Sequence, residues 1–255
     1  MTYSSSPQQR EESTYRSCFR KDLLQGQVAL VTGGGSGIGY TIALELASLG
    51  ATVVIAGRDA AKCQEAVAAA AANQHDGKLK IIAGPSTNIR DADQVAALVA
   101  FTLQQDGCRL DILVNCAGGQ FISPAEALSK RGFAAVVETN LVGTFLVSRE
   151  AYTQYMQEHG GSIVNITLVN ANGLPGMAHS AAARAGVENL TKSLATEWME
   201  AGVRINCVRP GIVWTESGFA AYGDAGEEFL QKLLPAIPAK RLGTAQEVSS
   251  AVVWL

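Results

Sequence analysis

Gly26-Gln-Val-Ala-Leu-Val-Thr32-Gly-Gly-Gly-Ser-Gly-Ile-Gly39 is the stretch that decides the fold. Its first half is a short apolar run suited to a buried strand. The glycines then make a turn, and Tyr40 to Leu49 carries the spacing of a helix. Glycine at such a junction allows a tight turn and close backbone approach. The helix start offers unpaired N–H groups and the positive end of a dipole. A glycine pattern alone is weak, but between a strand and a helix it points to a pyrophosphate site rather than a purely structural turn.

Outward from this turn, strand and helix alternate. Ala51 to Ala56 is followed by an Ala-rich helix through Ala72, then Leu79 to Ala83, a helix from about Asp91 to Gln105, and Ile112 to Asn115. A helix from about Gly143 to Glu158, a strand Ser162 to Ile166, a helix from about Ser180 to Glu200 and a strand Arg204 to Val208 continue the series. Apolar strands joined by helical crossovers predict an α/β fold with a doubly wound parallel sheet. In the long helix, Val187, Leu190, Leu194 and Trp198 recur at helical spacing and are assigned to the core. Residues 212–239 lack periodicity and read as a binding lid. The run Val-Val-Trp-Leu255 has no helix-ending glycine or polar cap, which reads as a fragment or a lost final strand.

The 255 residues, 47% hydrophobic and 17% charged, suffice for one domain over residues 26–255, after a polar extension over 1–25. A formal net charge of -3 gives no electrostatic reason for nucleic acid or an anionic membrane as partner. A small-molecule ligand is the expectation. Five scattered cysteines lack metal-ligand spacing, so no metal is expected and a reducing compartment follows. No apolar run reaches the roughly 18 residues of a membrane helix, and no targeting signal is visible.

Gly57-Arg58-Asp59 closes the second strand. A carboxylate there would bind the ribose hydroxyls of NAD, and an arginine would pair with the 2′-phosphate of NADP. Asp59 stands at about the generic distance. The strand breaks at Gly57, however, which brings Arg58 nearer and favours NADP.

These features resemble the short-chain dehydrogenase/reductase family over nearly all of residues 26–255. Thr32 to Gly39 matches its TGxxxGxG turn, and Asn115-Cys-Ala-Gly118 its NNAG element with one substitution. Asn140 matches its catalytic asparagine, and Pro210-Gly211 its PG pair. The resemblance implies a Rossmann-type sheet of order 3-2-1-4-5-6-7 whose last strand lies beyond Leu255. It also implies cofactor contacts from Gly33, Gly35, Ser36, Gly37, Ile38, Gly39, Arg58, Asn88, Ile89, Asn115, Ala117, Gly118, Arg184, Pro210, Gly211, Ile212 and Thr215.

Family spacing assigns the catalytic serine position to Thr167, the tyrosine position to Ser180 and the lysine position to Arg184. An alkyl hydroxyl cannot replace a phenol of pKa about 10 as an acid, and a guanidinium does not shuttle protons. With Gly119 to Glu126, His179 to Val187 and Ile237 to Arg241, these departures resemble the peroxisomal trans-2-enoyl-CoA reductases. The 2,4-dienoyl-CoA reductases are similar in architecture. The implied activity is NADPH-dependent reduction of an enoyl thioester by a peroxisomal dimer or tetramer.

The substitutions suit that chemistry. A ketone becomes an alkoxide and needs an acid, whereas an enoyl thioester passes its charge to the thioester oxygen as an enolate. Hydrogen-bond donors can hold that oxygen, at about 3 to 4 kcal/mol each in known oxyanion holes. The expected donors are Thr167 and Ser180, with Arg184 supplying fixed charge beside the nicotinamide ribose. The α-proton would come from water or Tyr222. His179 is a further candidate for that proton, although a histidine at a helix start is more often packed or solvated, and Glu188 is expected to pair with Lys192 at i+4. Alternatives are a carbonyl reductase or alcohol dehydrogenase, and an inactive NADP-binding scaffold.

Overall fold

A computed structural model describes residues 17–72, 79–170, 172–215, 218 and 234–255. Most of the expected lid, including Tyr222, lies outside these residues.

Six strands form one sheet: β1 (Val28–Thr32), β2 (Thr52–Ala56), β3 (Lys80–Ala83), β4 (Ile112–Asn115), β5 (Gly161–Ile166) and β6 (Val203–Val208). Their order is β3-β2-β1-β4-β5-β6, and every pairing is parallel. All five residues of β1 and of β2 are buried, as a sheet covered on both faces requires. Side-chain alternation sorts the strands into two cores. Ala29, Val31, Val53 and Ile55 pack with α1 (Gly37–Ser48) and α2 (Ala60–Ala72). Leu30, Val54, Leu113 and Ile163 pack on the other face with α3 (Ala92–Leu103) and α5 (Gly143–Ala151).

The sheet reverses direction at β1, which lies between β2 and β4. That switch point is where a crevice opens at the carboxyl ends of the strands. Thr32 closes its floor: its hydroxyl accepts from the Cys116 and Ala117 N–H groups at 3.2 and 3.3 Å.

The helix expected over Gly143 to Glu158 is longer and less regular. It begins with α4 (Lys130–Val137) and passes through a π-helical turn, Glu138–Val142, into α5. A second π turn, Tyr152–Met156, leads to α6 (Gln157–His159). Ser129 caps α4 by accepting from the Gly132 N–H at 3.0 Å. The first π turn carries Asn140, so the irregularity sits at a residue assigned to chemistry.

α7 (Ala178–Glu197) buries Val187 and Leu194, with Leu190 half-buried beside them. Trp198, at its C-terminal end, stacks on Tyr152 with ring centroids 4.1 Å apart. α8 (Ala245–Trp254), which periodicity did not anticipate, opens with a Thr244/Glu247 capping box. Arg241 pairs with Glu247 at 2.6 Å, and this bond with the cap holds the Glu247 carboxyl down at about 2. α8 lies against α1, and Ser249 donates to buried Glu45. Ser17 donates to the same carboxylate at 2.9 Å, and Leu24 joins the core beneath α1. Part of the polar extension is thus packed on the domain.

Candidate active site

The glycine turn begins where β1 ends. Gly33 has φ +71 and donates its N–H to Ala56 O at 2.7 Å, which joins the turn to the end of β2. Gly39, in the first turn of α1, comes so near that an added Cβ would stand 2.3 Å from Gly33 O. Ser36 is the N-cap of α1, and its side chain makes no capping bond. Gly37 and Ile38 follow as the first residues of α1.

Arg58 and Asp59 follow β2, and both are exposed. Asp59 accepts from the Lys62 N–H at 3.1 Å and so caps α2. Among the described residues the Arg58 side chain has no ion pair, while its carbonyl accepts from the Ser86 hydroxyl at 2.7 Å. Asn88 Oδ1 accepts from the backbone and side chain of Arg90. Ile89 is buried against Gly143.

After β4 the chain enters the centre of the site. The Asn115 amide is turned into the interior, donating to Ser148 Oγ at 3.0 Å and Asn165 Oδ1 at 2.9 Å. Asn165 passes the connection to Thr191 on α7, and Ser148 and Thr144 bond back toward the Asn140 carbonyl. Asn115 is therefore a strut beneath the crevice. Asn140 clamps the next segment: the Gly119 N–H donates to its Oδ1 at 2.9 Å, and its Nδ2 donates to Gly119 O at 3.0 Å.

Arg184 is buried on α7 and donates through Nη1 to Ile166 O at 2.8 Å. Its Nη2 lies where a Cβ on Gly118 would stand, 2.0 Å from that position, so Gly118 is the notch that admits the guanidinium. Burial lowers the Arg184 pKa from its ordinary value, with Cys116 opposing the shift. Burial also pushes the Cys116 thiol up to about 11, and Arg184 opposes that shift in turn. The site therefore holds one fixed cation beside a protonated thiol.

Neither expected donor has a free hydroxyl at rest. Thr167 donates to Val208 O at 3.3 Å. Ser180, which has no exposed surface, donates to Gln120 Oε1 at 2.6 Å. His179 is fully buried, and its ring meets Phe121 edge to face at 4.4 Å. Neither of its ring nitrogens has a partner among the described residues, so it packs as an apolar ring. Glu188 pairs at 3.6 Å with Arg209, the residue after β6, rather than with the expected Lys192.

The loop after β6 completes the frame. Pro210 O accepts from the Val169 N–H at 2.9 Å, joining the loops after β5 and β6. Gly211 leads on to Ile212, whose carbonyl accepts from the Gly243 N–H at 2.8 Å. Thr215 and Trp214 line a cavity of about 310 Å³ with Gly37, Tyr40 and Thr41 at the start of α1. The loops after β4, β5 and β6 each leave an apolar side chain exposed: Phe121 at 41%, Val169 at 46% and Trp214 at 43%.

Sequence reasoning named Asn140, Ser180 and Arg184 as site residues, and the structure gathers all three around residues 118–120. It gave no part to Gln120 or to the notch at Gly118. The signals were that Gly118 closes the Asn115 to Gly118 element and that Gln120 lies in the Gly119 to Glu126 stretch just after it.

The switch-point crevice, the helix start without a side-chain cap and the exposed Arg58 fit a dinucleotide. Among the described residues no group of His, Cys, Asp or Glu could hold a metal ion, and no helix is long and apolar enough to cross a membrane.

The family model described as enoyl-(acyl carrier protein) reductase matches residues 33–255. The peroxisomal 2,4-dienoyl-CoA reductase of Rattus norvegicus is 38% identical over 95% of this chain and 82% of its own length. That of Danio rerio is 36% identical over 94% and 79%. Among solved structures, the citronellol catabolism dehydrogenase of Pseudomonas aeruginosa PAO1 has a TM-score of 0.81 and 43% identity, covering 94% of this chain and 91% of its own. A short chain dehydrogenase from Bacillus anthracis has a TM-score of 0.78 and 34% identity, covering 91% and 90%. Sheet order, glycine turn and this breadth of similarity agree: the chain belongs to the short-chain dehydrogenase/reductase family of oxidoreductases.

Proposed function

We propose that this reductase saturates a carbon–carbon double bond conjugated to a CoA thioester, with trans-2-enoyl-CoA as substrate and NADPH as cofactor. The observation that carries the reading is Arg184: a buried cation, bonded at 2.8 Å to Ile166 O, in a place where carbonyl chemistry needs a proton carrier. Such a group stabilises developing negative charge and supplies no proton.

Bound NADPH would supply the hydride. The chain's own residues hold the thioester oxygen as charge gathers there. Thr167 and Ser180 each exchange a neutral carbonyl acceptor for an anionic one, and hydrogen bonds to a charged partner are roughly twice as strong. That gain arises only as the charge develops, which is the condition for accelerating the step. Asn140 keeps the 118–120 segment in place. Water or Tyr222 delivers the α-proton. The exposed apolar side chains at Phe121, Val169 and Trp214 suit an acyl-pantetheine substrate.

The names of the rat and zebrafish relatives favour a second substrate, 2,4-dienoyl-CoA. Its reduction sends charge to the same thioester oxygen, so the same residues serve. Those names also support a peroxisomal setting, and a homo-oligomer is expected from the family. A structural neighbour from Beutenbergia cavernae, described as an NAD(P)-dependent gluconate 5-dehydrogenase candidate, holds NADP at low occupancy.

The deciding experiment is NADPH oxidation with trans-2-enoyl-CoA, 2,4-dienoyl-CoA and a panel of ketones. Thioesters should turn over about 100-fold faster than any ketone; efficient ketone reduction without thioester reduction rejects the enolate mechanism. Arg58 gives a separate test of the cofactor. Asp59 is committed to capping α2, which leaves Arg58 for the 2′-phosphate. Arg58→Ala should weaken NADPH binding about 10- to 100-fold, the worth of a charge-assisted bond, and leave NADH unchanged. Equal losses for both cofactors would exclude the phosphate contact.

A further inference from the structure

We infer that Thr191 is a positioning residue: held by Asn165, its hydroxyl fixes the roll and slide of α7 and thereby places Arg184 and Ser180 in the cleft. The inference rests on the reading above that Arg184 supplies the site's fixed charge. Neither Thr191 nor Asn165 belongs to the motifs that carry the family resemblance.

The apolar contacts of α7 come from Val187, Leu190 and Leu194. Such contact is non-directional and tolerates a small roll or slide of the helix. Direction comes from bonds to two adjacent residues of β5. Arg184 Nη1 donates to Ile166 O at 2.8 Å, and Asn165 Nδ2 donates to Thr191 Oγ1 at 3.0 Å. Arg184 and Thr191 are nearly two turns apart, so they share one face of α7, about 10 Å from each other along its axis. Anchors at that spacing oppose any roll of the helix.

The hydrogens of this network have a single arrangement. Thr191 donates its proton to Val187 O at 2.8 Å, so toward Asn165 its oxygen can only accept. Ser148 likewise donates to Thr144 O, so it accepts from Asn115 Nδ2 at 3.0 Å. Asn165 therefore turns its NH2 to Thr191 and its oxygen to Asn115, which donates to it at 2.9 Å. Thr144 carries the connection on to the Asn140 carbonyl. Asn140 clamps Gly119, so one network ties α7 to the segment that receives the guanidinium. Thr191 and Asn165 are both buried. An apolar pair of the same shape could nearly match such a bond in stability. What the bond supplies is a unique arrangement.

Valine and serine separate direction from packing. Thr191→Val keeps the volume and removes the acceptor; a shift of Arg184 by a fraction of an ångström should then lower kcat about 10-fold and weaken NADPH binding about fivefold. Thr191→Ser loses a methyl group but keeps the oxygen, and should lose no more than about threefold in either. A packing role predicts the reverse order. In an Arg184→Met background, Thr191→Val should change NADPH affinity, followed by fluorescence, by no more than about twofold.

A larger loss in the serine variant than in the valine one would overturn the role. So would equal effects of Thr191→Val with and without Arg184, or parental turnover and cofactor affinity in Thr191→Val. Kinetics are run on whichever substrate the parent chain reduces best. If that is a ketone, the substrate reading fails while the positioning role is still tested; if nothing is reduced, the NADPH titrations decide it alone.

Discussion

Gly118→Ala is expected to lower kcat/KM at least 100-fold while leaving the chain folded. The added Cβ would stand 2.0 Å from Arg184 Nη2 and 2.9 Å from Asn140 Oδ1. An arginine tip can often swing aside at little cost. This one cannot, because it is buried and its other terminal nitrogen is bonded to Ile166 O at 2.8 Å. Moving it breaks that bond, displaces the site's fixed charge and disturbs the Asn140 clamp on Gly119. A displacement of about 1 Å at a reacting centre can cost 100-fold. Gly119→Ala is the control, since nothing lies within 4 Å of its would-be Cβ. Steady-state kinetics with a thermal melt on both variants provide the check. Near-parental turnover in Gly118→Ala would mean that Arg184 acts through charge alone, with no requirement on its position.

Gly39→Ala should fail earlier, at the turn itself. The new Cβ would meet Gly33 O at 2.3 Å and Gly33 C at 2.8 Å, both backbone atoms that cannot rotate away. Relief requires α1 to pull off the end of β1. Gly33 resists this, because it is bonded to Ala56 and packed against Ala117. The expected loss is about 3 to 5 kcal/mol, the range of severe overpacking, or roughly 10 °C in melting midpoint for a domain of this size. Cofactor affinity, followed by NADPH fluorescence, should fall at least 100-fold in the fraction that remains folded. Retention of both midpoint and affinity would contradict the close approach.

The parallel sheet was legible because its strands are continuous apolar runs, and every predicted strand is present within two residues of its expected ends. α4 and the first π turn were missed because Lys130 to Val142 mixes charged and apolar residues. α8 was missed because its capping box sits among irregular residues. Arg184 was placed by spacing, yet spacing says nothing about the notch that receives it. Asn115 was assigned to the cofactor by motif, which gave no hint that its amide braces α5 and β5. Ser180 was read as a ready donor, although its proton already has an acceptor from a residue 60 positions away.

By itself the sequence determined the strand–turn–helix that opens the domain, the parallel winding and the replacement of a phenol and an amine by a hydroxyl and a guanidinium. These are local properties, set by periodicity, glycine and residue type. Only the tertiary structure decided how the hydroxyls point, what confines the cation and that Gln120 stands over Ser180. Each of those depends on which distant atoms come within about 3 Å, the reach of a hydrogen bond, and no single segment carries that information.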